Sequence, residues 1–290
     1  MQLFSKTNFD FVSKRKLFLT LSIVIIAGGI FLSAVLGLDY GIDFEGGIEM
    51  VVEFEKPIPT ENLRQVVTGL GITGAEIKTF GTAQQYIIRI KKSDISATEL
   101  VEGIRNSQSN NNVEILKIDE IGAKVGAELR TQGIIAVVIA LFLLTIYIAF
   151  RFEFNYGLGA VIAILHDVVV TFTVALILHK SGLITMEINL TFLAAMLTVI
   201  GYSINNTVII FDRVRENNEI KKGTPFIQIV NSSINETLNR TVITVFTQLL
   251  VLVTLIIFGG PVLLPFAVVM TLGTLFGVYS SYYISSSFII

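Results

Sequence analysis

The sequence predicts a polytopic α-helical membrane protein, with six transmembrane helices and one small α+β domain outside the bilayer. Three observations carry that prediction. The 290 residues are 52% hydrophobic and 15% charged, against about a quarter charged in soluble domains, and mean hydropathy is +0.73. Six apolar stretches reach or approach the roughly 20 residues that a helix needs to cross the hydrocarbon core. A polar segment, 39–130, separates the first stretch from the other five.

Composition also excludes whole classes. The chain has no Cys, so disulfides, thiol catalysis and Cys-ligated metals are ruled out. A net charge of −2 gives no footing for nucleic acid, and the lipid bilayer is the expected surrounding. The sequence has no Walker loop, no HExxH helix and no dinucleotide fingerprint. No enzyme activity, metal or cofactor is therefore expected.

Residues 1–16 form a short basic N-terminus, and 17–38 the first transmembrane helix. That run exceeds the roughly 7–15 residues of a signal-peptide core, and no small-residue cleavage site follows it. It is read as a retained helix. Within 39–130, "IEMVVEF" (48–54) alternates as a strand and "TENLRQVVTGL" (60–70) has helical spacing with Thr60 as N-cap. "AEIKTF" and "QYIIRIKK" read as two strands with a Gly-Thr turn between them. Ser96 and Glu99 have capping-box spacing at the start of a second helix. "NNVEILKIDEIG" (111–122) alternates apart from a slip at Leu116. The order βαββαβ is that of a ferredoxin-like split unit.

Residues 131–290 form the five-helix membrane domain, with spans at 133–150, 157–178, 188–211, 238–258 and 263–287. Thr224-Pro225 marks a further helix start, on the membrane surface or in the cytoplasm, running into the span at 238. Lys6, Lys14, Arg15, Lys16, Arg151, Arg213, Arg215, Lys221 and Lys222 fall on one side of the six helices. Only Lys180 occupies the opposite short loops. By the positive-inside rule, the N-terminus and 212–236 are cytoplasmic and 39–130 is outside.

Polar groups inside membrane helices are costly and mark function by default. Asp167, beside His166, lies about ten residues from either end of its helix, beyond the reach of snorkelling. It must be paired, hydrated or protonated. Thr191, Thr198, Asn205 and Asp212 are seven apart and form one narrow stripe. Asn206 is rotated about 100° from Asn205 and shares a second edge with Tyr202. Asn205 reads equally as a hydrogen-bonding contact to a neighbouring helix, Asp212 as part of a solvated face and Arg240 as a snorkelling cation. Buried carboxylate, amide and arginine on neighbouring helices suggest a proton- or ion-linked conformational device.

Four ordered stretches add a resemblance. "GIDFEGG" (41–47), "LHDV" (165–168), "GYSINNTVIIFDRVREN" (201–217) and "ETLNRTVIT" (236–244) resemble the SecF subunits of the bacterial Sec protein-export machinery, over nearly the whole chain. The resemblance implies one half of a resistance-nodulation-division (RND) type transporter in the bacterial cytoplasmic (inner) membrane. It implies SecD as the other half, with SecYEG and YajC as further partners. It also implies use of the proton-motive force to help preproteins, driven through the channel by SecA, leave on the outer side.

Aligning the motifs places the family's coupling Arg at Arg240 and its Asp at Asn206. Asn cannot titrate. Three explanations stand: coupling through Asp167 and a SecD carboxylate, coupling to another ion such as Na⁺, or an amide that mimics the protonated state. An RND-type exporter of lipid or small molecules and a non-coupling scaffold are the alternative functions. In "GIDFEGG", Gly46 and Gly47 are expected to shape the turn, with Asp43 solvated or holding it.

Overall fold

The computed structural model describes residues 7–91, 95–108 and 111–290. Lys6, counted in the charge asymmetry, and Lys92, at the end of a predicted strand, lie outside the described residues. The chain divides into two compact units, one of residues 39–136 with 187–190 and the other of the remainder. The boundary expected at 130 thus falls a few residues later, and a short second segment joins the smaller unit.

In chain order, α1 (Arg15–Leu36) belongs to the larger unit. The smaller unit begins with the short helix α2 (Ile42–Glu45). It continues through β1 (Gly47–Phe54), α3 (Thr60–Gly69), β2 (Glu76–Phe80), β3 (Thr82–Lys91), α4 (Ala97–Ser107) and β4 (Val113–Ile121). The sheet is antiparallel in the order β2-β3-β1-β4, the ferredoxin-like arrangement that the βαββαβ order implies. Alternate residues of β1 and β3 face α3 and α4. Met50, Val52 and Ile88 meet Leu63, Val67, Leu100 and Ile104 in a core from which all seven are fully buried. Each such side chain contributes roughly 1.5–3 kcal/mol.

Two local features refine the sequence reading. Val51 pairs with Lys117 and Val52 with Ile115, so Leu116 is the extra residue of a β-bulge. A bulge adds one residue to one strand, which is why the alternation slips there. Thr60 is the first residue of α3, not its cap. Pro59 holds the cap position in extended conformation, and its carbonyl accepts the Asn62 amide at 3.0 Å. Ser96 and Glu99 make the capping box at α4.

Among the described residues, six helices are long and apolar enough to cross a membrane: α1, α5 (Ala123–Arg151), α6 (Phe154–Lys180), α7 (Leu190–Ile220), α8 (Phe226–Phe258) and a sixth over Val262–Ile289. The sixth is built from α9 (Gly260–Ser280), a π-helical turn (Ser281–Ser285) and α10 (Ser286–Ile289). Most of these helices overrun the spans expected from hydropathy, because polar contacts carry them on. Beyond 211, Arg213 pairs with Glu216 at 2.7 Å and also with Glu236 of α8, while Lys221 reaches Glu236 at 2.8 Å. The helix expected to start at 238 begins at Phe226, since the segment after Pro225 continues into it without a break. Asn231 and Asn235, on that added length, accept the backbone amides of Phe11 and Phe9 at 2.9 and 2.8 Å and so tie down the N-terminal segment.

Within this unit α6 and α7 are the enclosed helices, and α1 and α5 present most of their side chains outward. Small residues on α6 make the enclosure possible. Ala160 and Ala163 are fully buried, and a Cβ at Gly159 would stand only 2.9 Å from the Ser285 carbonyl.

Candidate functional site

Asp167 lies midway along α6 and is 0% exposed. Ser203 of α7 donates to its Oδ2 at 2.5 Å. Ser280, the last residue of α9, donates to the same oxygen at 2.7 Å. Nδ1 of His166 is 2.9 Å from Oδ1, and Nε2 of that ring is 3.0 Å from Ser22 Oγ on α1. Four helices therefore converge on one His-Asp pair. Helical spacing explains the α7 contribution: Val199, Ser203, Asn206 and Ile210 are three or four apart, Thr207 is four beyond Ser203, and all are buried, one inward face. On α9, Gly277 lies one turn before Ser280. A Cβ there would sit 3.5 Å from the Ser203 Cα, so the two helices are already at close range.

Asn206 shares that inward face at 2% exposure. Its Nδ2 has no hydrogen-bond partner among the described residues. Next to it, Thr207 Oγ1 is 2.9 Å from Ser281 Oγ in the π turn; such turns are frequent at functional sites. Arg240 lies exposed on α8. No hydrogen bond joins the Arg240 side chain to Asn206 among the described residues.

The two edges of α7 part company. Thr198 and Asn205 are exposed and Tyr202 is intermediate. Asp212, the foot of the stripe, is bound by Arg151 Nη2 at 3.0 and 3.2 Å. It is a tie from the end of α5 to α7 rather than only a solvated charge. The stripe and Asp167 thus belong to different faces.

In the smaller unit, Asp43 Oδ2 accepts the backbone amide of Leu190, the first residue of α7, at 2.9 Å. It caps a helix that begins 147 residues later, a contact no local pattern announces. Gly46 and Gly47 have φ of +79° and +147°. A Cβ on Gly46 would lie 2.6 Å from the Ala123 Cα, and one on Gly47 would overlap the Ile90 carbonyl. Their role is close backbone approach. Among the described residues no group of three or more His, Asp or Glu could hold a metal. The residues that sequence reasoning missed are the hydroxyls, Ser22, Ser203, Ser280 and Ser281. The one available signal was the run "YSSYYISSS" (279–287).

A bundle of membrane-length helices with a buried, hydroxyl-bound carboxyl, joined to a ferredoxin-like unit, defines a multi-pass membrane protein with a polar interior. Comparison with known proteins narrows the class. Residues 102–290 match the family described as "Protein export membrane protein SecD/SecF, C-terminal", and residues 31–58 match the "SecD/SecF GG Motif", which spans the Gly46-Gly47 turn. The chain is 38% identical to protein translocase subunit SecF of Rhodothermus marinus, over 100% of this chain and 95% of that one. It is also 38% identical to protein translocase subunit SecF of Calditerrivibrio nitroreducens, over 98% and 93%. The crystal structure of SecDF, a translocon-associated membrane protein from Thermus, superposes with a TM-score of 0.85 at 30% identity. All of this chain is covered, but only 39% of that one. The chain belongs to the SecD/SecF family of protein export membrane proteins, on its SecF side.

Proposed function

We propose that this chain is the SecF-type half of a two-part device that draws on the proton-motive force to help preproteins leave the SecYEG channel on the outer side. SecD would supply the other half, with YajC as an accessory and SecA driving the preprotein through the channel. The chain spans 39% of the length of the solved SecDF protein, and the proposal assigns the rest of such a device to SecD. The inner membrane is the proposed location, with the N-terminus and the α7–α8 connection cytoplasmic. Single-cysteine labelling tests this directly, because the chain has no Cys. Ser13→Cys should react from the inside and Ser107→Cys from the outside.

The observation that carries the coupling is the buried Asp167, bound by hydroxyls from α7 and α9. A carboxylate accepts both serine donors. A neutral acid, its proton on Oδ1 toward His166, leaves Oδ2 only a weaker carbonyl acceptor, so both serine contacts loosen. Gain and loss of one proton thus favour different packings of α6, α7 and α9, the differential interaction that any switch requires. Asn206 has no proton to give, which supports Asp167 as this chain's own coupling group. A hard cation such as Na⁺ needs several oxygens turning lone pairs to one point, whereas two hydroxyl donors already point at Oδ2, so the proton is the favoured ion.

The decisive experiment is Asp167→Asn in the full chain with its partners, in vesicles holding a sustained proton-motive force. Loss of the force-dependent acceleration of preprotein release, with assembly intact, is the expected result. Release at the unsubstituted rate overturns the reading. Arg240→Leu separates a gate from a passive scaffold, since only a gate would lose activity.

A further inference from the structure

Tyr279 donates its one hydroxyl proton to the carbonyl of Phe18, in the first turn of α1, at 2.8 Å. A carbonyl can only accept, and that fixes the polarity of everything behind it. Tyr279 Oη is 2.9 Å from Ser22 Oγ. With its own proton spent on Phe18, the tyrosine accepts, and Ser22 donates. Ser22 Oγ is 3.0 Å from His166 Nε2. With its proton spent on Tyr279, the serine accepts, so Nε2 carries hydrogen. The last link is the 2.9 Å contact between His166 Nδ1 and Asp167 Oδ1. Two bare acceptors would repel there, so one proton lies between them. Neutral imidazole with a carboxylic acid satisfies the contact, and imidazolium with a carboxylate satisfies it equally.

Building on the coupling role proposed for Asp167, we infer that His166, Ser22 and Tyr279 form the relay by which that carboxyl exchanges its proton, along α1 and through neither Asn206 nor Arg240. The wire is continuous. Every step is 2.9 to 3.0 Å from Asp167 to the tyrosine oxygen, and Tyr279, unlike Asp167, is only partly buried. On release, the Nε2 proton passes to Ser22 Oγ, the Ser22 proton to Tyr279 Oη, and the Tyr279 proton leaves the Phe18 carbonyl for a water molecule. The shared proton settles on Nδ1. What remains is a carboxylate, a neutral imidazole of the other tautomer, and both hydroxyls intact, one proton fewer in all. Uptake runs the same steps backwards. The groups that α1, α7 and α9 turn toward the pair and its wire are hydroxyls, namely Ser22, Ser203, Ser280 and Tyr279. The next titratable ring is Tyr283, its centroid 5.6 Å from that of Tyr279. Tyr279 holds the gate at the far end of the wire, because its rotation off Phe18 is the one movement the transfer needs.

The test is time-resolved infrared spectroscopy on the full chain in lipid vesicles after a pH jump. The protonated-carboxyl band of Asp167 is assigned by its loss in Asp167→Asn. Ser22→Ala and Tyr279→Phe are each expected to slow the appearance of that band by about tenfold or more, with little change in its equilibrium pH midpoint. Ser22→Thr, which keeps the hydroxyl, should restore the rate. Unsubstituted rates in both slow-path variants overturn the relay, as does a moved midpoint without a rate change, or a Thr variant as slow as Ala. The absence of any Asp167-dependent band also overturns it. The function reading fails separately. If Asp167→Asn keeps force-driven release while Ser22→Ala slows the band, the relay stands and the coupling role falls. If Asp167→Asn abolishes release while the band rates are unaffected, only the relay falls.

Discussion

Ser203 Oγ on α7 stands 2.5 Å from Asp167 Oδ2 on α6, both wholly buried. The contact joins the two most enclosed helices at the depth of the one buried carboxyl they share. Ser203→Ala removes a donor that water cannot replace in a packed interior. We expect a loss of about 1–3 kcal/mol, read as a lower midpoint of denaturation in mild detergent. The same substitution made on Asp167→Asn should cost less, because the carboxyl partner is gone, and the double-mutant cycle measures the difference.

Asp43 and Leu190 make a second long-range link, with Oδ2 accepting the first amide of α7 at 2.9 Å. An acceptor at a helix N-terminus satisfies an orphan N–H and meets the positive end of the helix dipole. Asp43→Ala should cost about 1 kcal/mol and speed hydrogen exchange at Leu190, while distant helices exchange at the unsubstituted rate. Asp43→Asn keeps an acceptor and should lie between the two.

These two contacts show where sequence reasoning reached and where it stopped. Period and length are local properties, so the six apolar helices and the βαββαβ order could be read from the chain. Even the slip at Leu116 had a structural counterpart, the bulge. Asp167 stood out because a lone carboxyl amid apolar neighbours is costly. Its partners did not, because a serine is unremarkable in a membrane helix and Ser22, Ser203 and Ser280 converge only in three dimensions. Spacing alone favoured Asn205 on α7, yet the fold turns Asn205 outward and Asn206 inward. One position of rotation decides that, and only the packing of α6 against α7 fixes the rotation.

Glycines in the smaller unit separate two kinds of cost. Gly47 has φ +147°, and a Cβ there would overlap the carbonyl of Ile90, the residue before its β3 partner Lys91. Gly71 has φ +83° with nothing within 4 Å. Gly71→Ala should therefore lose only the backbone term, about 1–2 kcal/mol. Gly47→Ala must also displace a paired strand and should lose more. Expression and thermal unfolding of the two variants side by side check the order.

Glu99 supplies a pH dependence with a defined sign. Its carboxylate accepts the Ser96 backbone amide at 2.9 Å and the Ser96 hydroxyl at 3.0 Å. Those bonds, the backbone one foremost, hold the group below its ordinary value of 4.5. A group depressed in the folded state stabilises it above the unfolded value and loses that contribution as pH falls through the lower folded value. The start of α4 should therefore be fully capped at neutral pH and should fray once pH drops below 4.5. Glu99→Gln keeps an acceptor but cannot titrate. Hydrogen exchange at the first turn of α4, corrected for intrinsic rate, should show the acid-side loss of protection in the native chain and none in Glu99→Gln. Equal acid sensitivity in both would place the effect elsewhere in the smaller unit.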